Sequence, residues 1–240
     1  MEKRHGDRSG RAIVQRYHGS GHGGSANNRL AFFLLSIIIY TMDDKKKFWD
    51  DLFAGGQTYR PLKDEDLEEI LRQYSDMSGL QPKVIADIGA GTGDVTVVLA
   101  KRGFNVTAFD ISSVALDSAS IKAKEAGVDI YTEEADINAS DFGDTYQEAF
   151  DLIFLKLAIA FADNGADVIQ RVHSMLRPKG AVVIITPVLV LGGEYSERQK
   201  GISVSRKELE GILENNFSKF KIVSEQGEPI WPLVTYLCLA

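Results

Sequence analysis

The chain has 240 residues, 44% of them apolar and 25% charged, with a formal net charge of -7 and one cysteine, Cys238. That is ordinary for a soluble globular domain long enough to bury a core without staples. It excludes an internal disulfide, suits a reducing, cytoplasmic setting, and argues against broad binding to nucleic acid or anionic membrane, which both need a positive field.

Residues 1–28 are basic and rich in Gly, Ser, Arg and His, without helical or strand period, and read as unstructured. Three of the four histidines lie here (His5, His18, His22), but their irregular spacing gives no ligand pattern, and no metal is expected. The run LAFFLLSIIIY at 30–40 is too short for a transmembrane helix, which needs about 20 apolar residues. As the apolar core of a signal peptide it has too long a stretch before it and no small-residue cleavage site before MDDKKK. A third reading makes Met42 the natural start, with an over-extended reading frame upstream. Residues 1–41 are therefore expected to be a disordered or non-native extension, and 42–240 one domain.

Apolar spacing predicts helices over 43–53 (Phe48, Leu52, Phe53) and 64–77 (Leu67, Ile70, Leu71, Tyr74). Acids open the second, and Gly79 follows its end. From residue 83 onward, β-rich runs at 83–88, 105–109, 128–132, 150–155 and 181–186 alternate with helical patterns at 94–102, 113–126 and 163–176. Such alternation implies a parallel sheet with right-handed crossovers, and strands apolar on both faces imply helices on both sides. Ser203 or Ser205 is placed to cap another helix running to Phe217. The runs 220–224 and 234–239 have only Gly227, Pro229 and Pro232 between them, which predicts a final antiparallel hairpin with one strand inserted into or added to the sheet. The expected fold is α/β, a Rossmann-like doubly wound sheet.

The first strand ends in ADIGAGTGD. Glycines there let a strand turn sharply into a helix and let a ligand lie against bare backbone, at the carboxyl ends of the strands. A dinucleotide fingerprint is G-x-G-x-x-G, whereas here Asp94 stands where the third glycine belongs. An acid at that helix N-terminus repels a pyrophosphate, so the loop suits a ligand without phosphates. Asp110 ends the second strand about 20 residues after the loop, where a carboxylate accepts from ribose hydroxyls. Asp136 follows the third strand, suited to an adenine amino group, with Ile137 as an apolar wall.

This constellation resembles the class I S-adenosylmethionine-dependent methyltransferases, most closely their small-molecule branch, from about Phe48 to the C-terminus. The resemblance implies a seven-stranded sheet, mostly parallel with an antiparallel C-terminal strand. It implies cofactor contacts from Asp87, Gly89, Ala90, Gly91 and Gly93, from Asp110 and Ile111, from Asp136 and Ile137, and from backbone around Leu155 in FDLIFLKLAIAF. The turn LRPKG at 176–180 also matches the family's pattern. S-adenosylmethionine carries its methyl on a sulfonium, so transfer needs alignment and water exclusion more than a particular catalytic side chain, and the sequence displays none.

Candidate acceptor-side residues are Tyr59, Lys156, Tyr195 and Trp231. Phe48 and Trp49 are placed either to shield a sulfonium or simply to pack. His173 lies away from the strand ends and reads as a packing residue. Asp110→Ala is expected to weaken cofactor affinity with the fold intact. The fourth motif lacks the Asn/Asp-Pro-Pro-Tyr pattern of base-amine methylation, so the expected acceptor is a small molecule, with neither nucleic acid nor membrane as partner. Competing readings are an NAD(P)-dependent oxidoreductase and a non-catalytic S-adenosylmethionine-binding protein.

Overall fold

The computed structural model describes residues 42–59 and 61–240; the extension 1–41, with its histidines and apolar run, lies outside them, as does Arg60. Helices α1 (Met42–Ala54) and α2 (Asp64–Ser78) come first. Then follow β1 (Val84–Ile88), α3 (Asp94–Lys101), β2 (Asn105–Asp110), α4 (Ser113–Glu125), β3 (Tyr131–Glu134) and β4 (Phe150–Lys156). The chain ends with α5 (Gly165–Ser174), β5 (Leu176–Leu189), α6 (Glu197–Gly201), β6 (Val204–Ser205), α7 (Arg206–Asn216), β7 (Lys219–Glu228) and β8 (Trp231–Leu239).

The main sheet has the order β3-β2-β1-β4-β5-β8-β7, with short β6 alongside the end of β5. The first five strands of that path are parallel, and β8 runs antiparallel to both β5 and β7. The chain steps outward from β1 to β3, then returns to the other side of β1 for β4. That reversal opens a crevice between the carboxyl ends of β1 and β4, the place where α/β sheets bind ligands.

Period-two alternation sorts the strand residues to two faces. Ile85, Leu152, Phe154, Val183 and Leu237 pack under α2 and α3 against Leu67, Ile70, Tyr74, Val95 and Leu99. Ile88, Ile153, Leu155, Ile184 and Tyr236 pack under α5 and α7 against Val168, Ile169, Val172, Leu209 and Leu213.

Several predicted boundaries move. The third strand lies at 131–134 rather than 128–132; Val128 and Ile130 instead lead into it, packed at the margin of the α2/α3-side core. Fifth and last strands are longer than their apolar runs, and β8 is inserted between β5 and β7. Ser205 rather than Ser203 caps α7, accepting from the N–H of Glu208, and Asn164 caps α5. Among the described residues no helix is long and apolar enough to cross a membrane.

Candidate functional site

Loop 89–93 is hooked onto the neighbouring strand: the N–H groups of Gly89 and Ala90 both donate to the Phe109 carbonyl, at 2.8 and 3.0 Å. Asp110 completes the tie. Its Oδ2 accepts from the Gly91 N–H at 2.8 Å and its Oδ1 from the Ser112 N–H at 2.9 Å. Burial pushes the Asp110 carboxyl above its ordinary range, and those two N–H bonds pull against the shift. The acid therefore shapes the loop as well as facing the crevice. Asp110→Ala would strand two buried N–H groups, so the substitution is expected to cost stability as well as cofactor affinity.

Gly93 opens α3 at φ +80, and a Cβ there would stand 2.6 Å from the Ala119 Cβ of α4. This glycine performs the close packing that a dinucleotide loop assigns to its third glycine. A Cβ on Gly89 would likewise stand 2.7 Å from that of Ala158, which brings the loop against the segment following β4. Asp94 is paired with Lys122 at 2.8 Å, and Lys122 also donates to Thr92. Its repulsion of a phosphate is thus weaker than the sequence alone suggests.

Asp87 points to the α2/α3 side of β1 and is 1% exposed. Its Oδ2 accepts from the Thr96 hydroxyl at 2.6 Å, while its Oδ1 has no hydrogen-bond partner among the described residues. Burial raises its carboxyl to about 6, against the pull of Thr96 and of the Lys156 charge. Lys156, last residue of β4, lies on the same side; burial lowers its ammonium, and the charges of Asp87 and Asp94 oppose that.

Beyond β3 the placement is looser. Glu134, not Asp136, is paired in register with Asp110. Asp136 lies two residues further on, half-buried, accepting from the backbone and side-chain N–H of Asn138 at 2.9 and 3.1 Å. Ile137 packs against the α5/α7-side core, and its carbonyl accepts from Arg171 at 2.9 Å. Leu155 is fully buried, so only its backbone is available to a ligand.

α1 lies across these strand ends. Phe53 sits over Gly91, where an added Cβ would meet its ring at 3.4 Å. Trp49 stacks on Phe53 and meets Phe161, just past β4, edge-on at 5.0 Å. Tyr59 meets Phe53 at 6.4 Å, and burial together with the Asp110 charge pushes its hydroxyl up to about 12. Polar ties hold the helix on both flanks. On one, Asp50 accepts from the Ser112 hydroxyl at 2.6 Å, and Lys46 reaches Ser113 at 3.0 Å and Glu134 at 3.1 Å. On the other, Lys45 pairs with Asp163 at 2.6 Å.

The site thus gathers Asp87, the loop 89–93, Asp110, Ile111, Leu155, Lys156 and Tyr59. Tyr195 and Trp231 stand at the same end of the sheet but outside this group. The Tyr195 hydroxyl bonds the N–H and carbonyl of Val190 and the carbonyl of Ile230. It lines a separate groove of about 1060 Å³ with Asp163, Leu189 and Ile212. The Trp231 indole N–H donates to Ser203 at 2.7 Å, on β8, two strands beyond β4. His173 packs on Phe217, as expected of a structural residue. Sequence reasoning missed Thr96, Asn138, Phe161 and the α1 ties. For the last, the run of lysines before FWDD was a usable signal.

This sheet order, with a glycine loop and an acid on successive strand ends around the switch point, is the arrangement that the resemblance to class I, S-adenosylmethionine-dependent methyltransferases implies. Residues 85–180 match the family model described as a methyltransferase domain. The chain is 26% identical over 160 residues to a ubiquinone biosynthesis O-methyltransferase of Histophilus somni, covering 62% of this chain and 66% of the relative. It is 30% identical over 161 residues to the protein of that name from Rickettsia canadensis, covering 66% and 64%. The chain spans about two thirds or less of the length of these curated relatives. Among solved structures it is similar in fold to the [4+2]-cyclase SpnF, with TM-score 0.59, 16% identity, and 78% and 74% of the two chains covered. It is also similar to the N-terminal domain of EvdMO1 with SAH bound, with TM-score 0.56, 15% identity, and 75% and 82% covered.

Proposed function

We propose that the chain is a methyltransferase that uses S-adenosylmethionine to methylate a small-molecule acceptor. One observation carries the reading: at the switch point Asp110 holds the bare-backbone loop with one lone pair of each oxygen and keeps the others for ribose hydroxyls. The residues fit the cofactor in two further respects. Asp87 offers an unpartnered buried oxygen suited to a cationic group. Trp49, Phe53 and Phe161 give an aromatic roof, whose faces attract a sulfonium. Asp136, close past β3, remains the proposed partner of the adenine amino group.

The cofactor supplies a methyl already activated by the positive sulfur. This chain's part is to hold the two partners in line and keep water out, with α1 as the cover. A phenolic or carboxylic acceptor needs no general base; an alcohol or protonated amine does. Tyr59 and Lys156 adjoin the crevice and are the acceptor-side candidates favoured by position. Tyr195 and Trp231 are left to the outer groove and the β8 end.

The [4+2]-cyclase SpnF shares the fold, so the fold alone does not fix the chemistry, and direct assays decide it. Calorimetry with S-adenosylmethionine and with NAD tests the cofactor, and formation of S-adenosylhomocysteine across a metabolite panel tests transfer. Binding of NAD in place of S-adenosylmethionine would overturn the reading. Tight binding without turnover on any acceptor would leave a binding protein.

A further inference from the structure

β5 overshoots the strand beside it. Its register with β4 ends where Lys156 pairs with Ile185, yet the strand runs on to Leu189, and Val188 and Leu189 pair with β6. This overhang and the loop after it line the outer groove together with α7 and the start of α5. At about 1060 Å³ the groove has the size of a roomy small-molecule site. Lys207, Gly211 and Asn215 recur at every fourth position, so one stripe of α7 faces it, while Leu209 and Leu213 point into the core. Leu189, Val190, Leu191 and Ile212 make the lining largely apolar. Of its charges, Asp163 is taken by Lys45, and Lys207 and Glu208 are opposite in sign, so the groove offers a ligand no net charge. Leu191 is 90% exposed, which leaves apolar surface open to a partner. Gly211 lies in the interior of α7, where a Cβ would meet nothing within 4 Å. Glycine costs a helix stability relative to alanine, and no packing contact here demands it. What this glycine does provide is an open wall. The groove also adjoins the crevice: Phe161 meets Trp49 of the roof, and Asp163, two residues on, lines the groove and holds Lys45 of α1.

We infer that this groove binds an elongated apolar part of the methyl acceptor, whose reactive end reaches the crevice past Phe161. The inference rests on the proposed methyl transfer and names the class of acceptor: a molecule with a nucleophilic head and an apolar tail. Gly211 sets how bulky a tail the groove admits. Tyr195 returns to the acceptor side as a wall of the groove, with its hydroxyl occupied by backbone.

The probes are the 4-alkylphenols with ethyl, butyl, hexyl and octyl tails. Calorimetric Kd values are measured for each against wild type, Gly211→Ala and Gly211→Trp, with and without saturating S-adenosylhomocysteine. In wild type each methylene laid in the groove should tighten binding about two- to fourfold, whether or not S-adenosylhomocysteine is present. Gly211→Trp should fill the groove and flatten this dependence on tail length, while the Kd for S-adenosylmethionine stays unchanged. Gly211→Ala should keep most of the dependence and melt about 1–4 °C higher than wild type. A wild type indifferent to tail length, or a Gly211→Trp variant with the wild-type dependence, overturns the inference. So does competition between octylphenol and S-adenosylhomocysteine, which would put the tail in the crevice. Self-association of wild type that Gly211→Trp abolishes would make the groove an interface between copies, and the inference would fall. Failure of wild type to bind S-adenosylmethionine, with the dependence on tail length intact, would instead bring down the cofactor reading and with it the acceptor role. Should Gly211→Trp not fold, Gly211→Leu reads the same dependence.

Discussion

Asp110 gives the sharpest test, because it has a structural and a ligand-facing duty that two substitutions separate. Asp110→Ala removes the acceptor of both the Gly91 and Ser112 N–H groups in a site only 7% exposed. Each buried donor left unpaired costs about 1–3 kcal/mol, so the variant should lose about 2–6 kcal/mol, a large part of the about 5–15 kcal/mol typical of a domain. Asp110→Asn keeps the shape and one acceptor oxygen but turns an amide N–H₂ toward the other donor, costing about 1–3 kcal/mol. That variant should fold, with charged acceptors for the ribose hydroxyls replaced by a neutral one. The difference between charged and neutral hydrogen bonds, about 1–2 kcal/mol in all, weakens S-adenosylmethionine binding about 5–30-fold. Thermal melts read the first effect and calorimetry the second. An alanine variant that melts with wild type, or an asparagine variant of unchanged Kd, would refute the reasoning.

Three other outcomes follow from the geometry. Asp87 has a folded pKa of about 6, above the ordinary carboxylate value, so the stability tied to its protonation is present below about pH 4 and lost as pH rises through about 6. Ligand-free protein should therefore melt higher on acidification from pH 7 to 5, while S-adenosylmethionine binding weakens; Asp87→Asn should flatten both slopes, and unchanged slopes would count against this assignment. Gly93→Ala forces a side chain to positive φ and against Ala119, for a loss of about 2–5 kcal/mol, of which Ala119→Gly should restore the steric part in a double-variant melt. Lys45→Met removes a solvent-facing ion pair worth about 0–1 kcal/mol, so melting should barely change while stopped-flow ligand release quickens; equal release rates would argue against α1 as the cover.

Much of the fold was legible because periodicity reports burial. The central strands β1, β4 and β5 are apolar on both faces, and each helix has its stripe. The third strand was misplaced for the same reason. It is the sheet edge, its residues YTEE are mostly exposed, and Glu133 and Glu134 protect that edge with charge rather than announce a strand. At the site, Asp87, Gly91 and Asp110 were visible because they lie at strand ends in one short motif. Thr96 was not, since a buried hydroxyl in a helix has no pattern of its own. The tie from Lys45 to Asp163 joins residues 118 apart, which no local period encodes. Tyr195 does line a groove, but one apart from the crevice at β1 and β4, and the backbone ties of its hydroxyl to Val190 and Ile230 join positions that no local period links.

The insertion of β8 between β5 and β7 has a consequence for biogenesis. The strand that joins β7 to the rest of the sheet is synthesised after both of the strands it separates. Until it emerges, β5 presents a long, unpaired, apolar edge, the kind of surface that recruits other chains. The nascent protein must stay open along this seam until β8 is made, and loss of β8 removes an interior strand rather than a fringe.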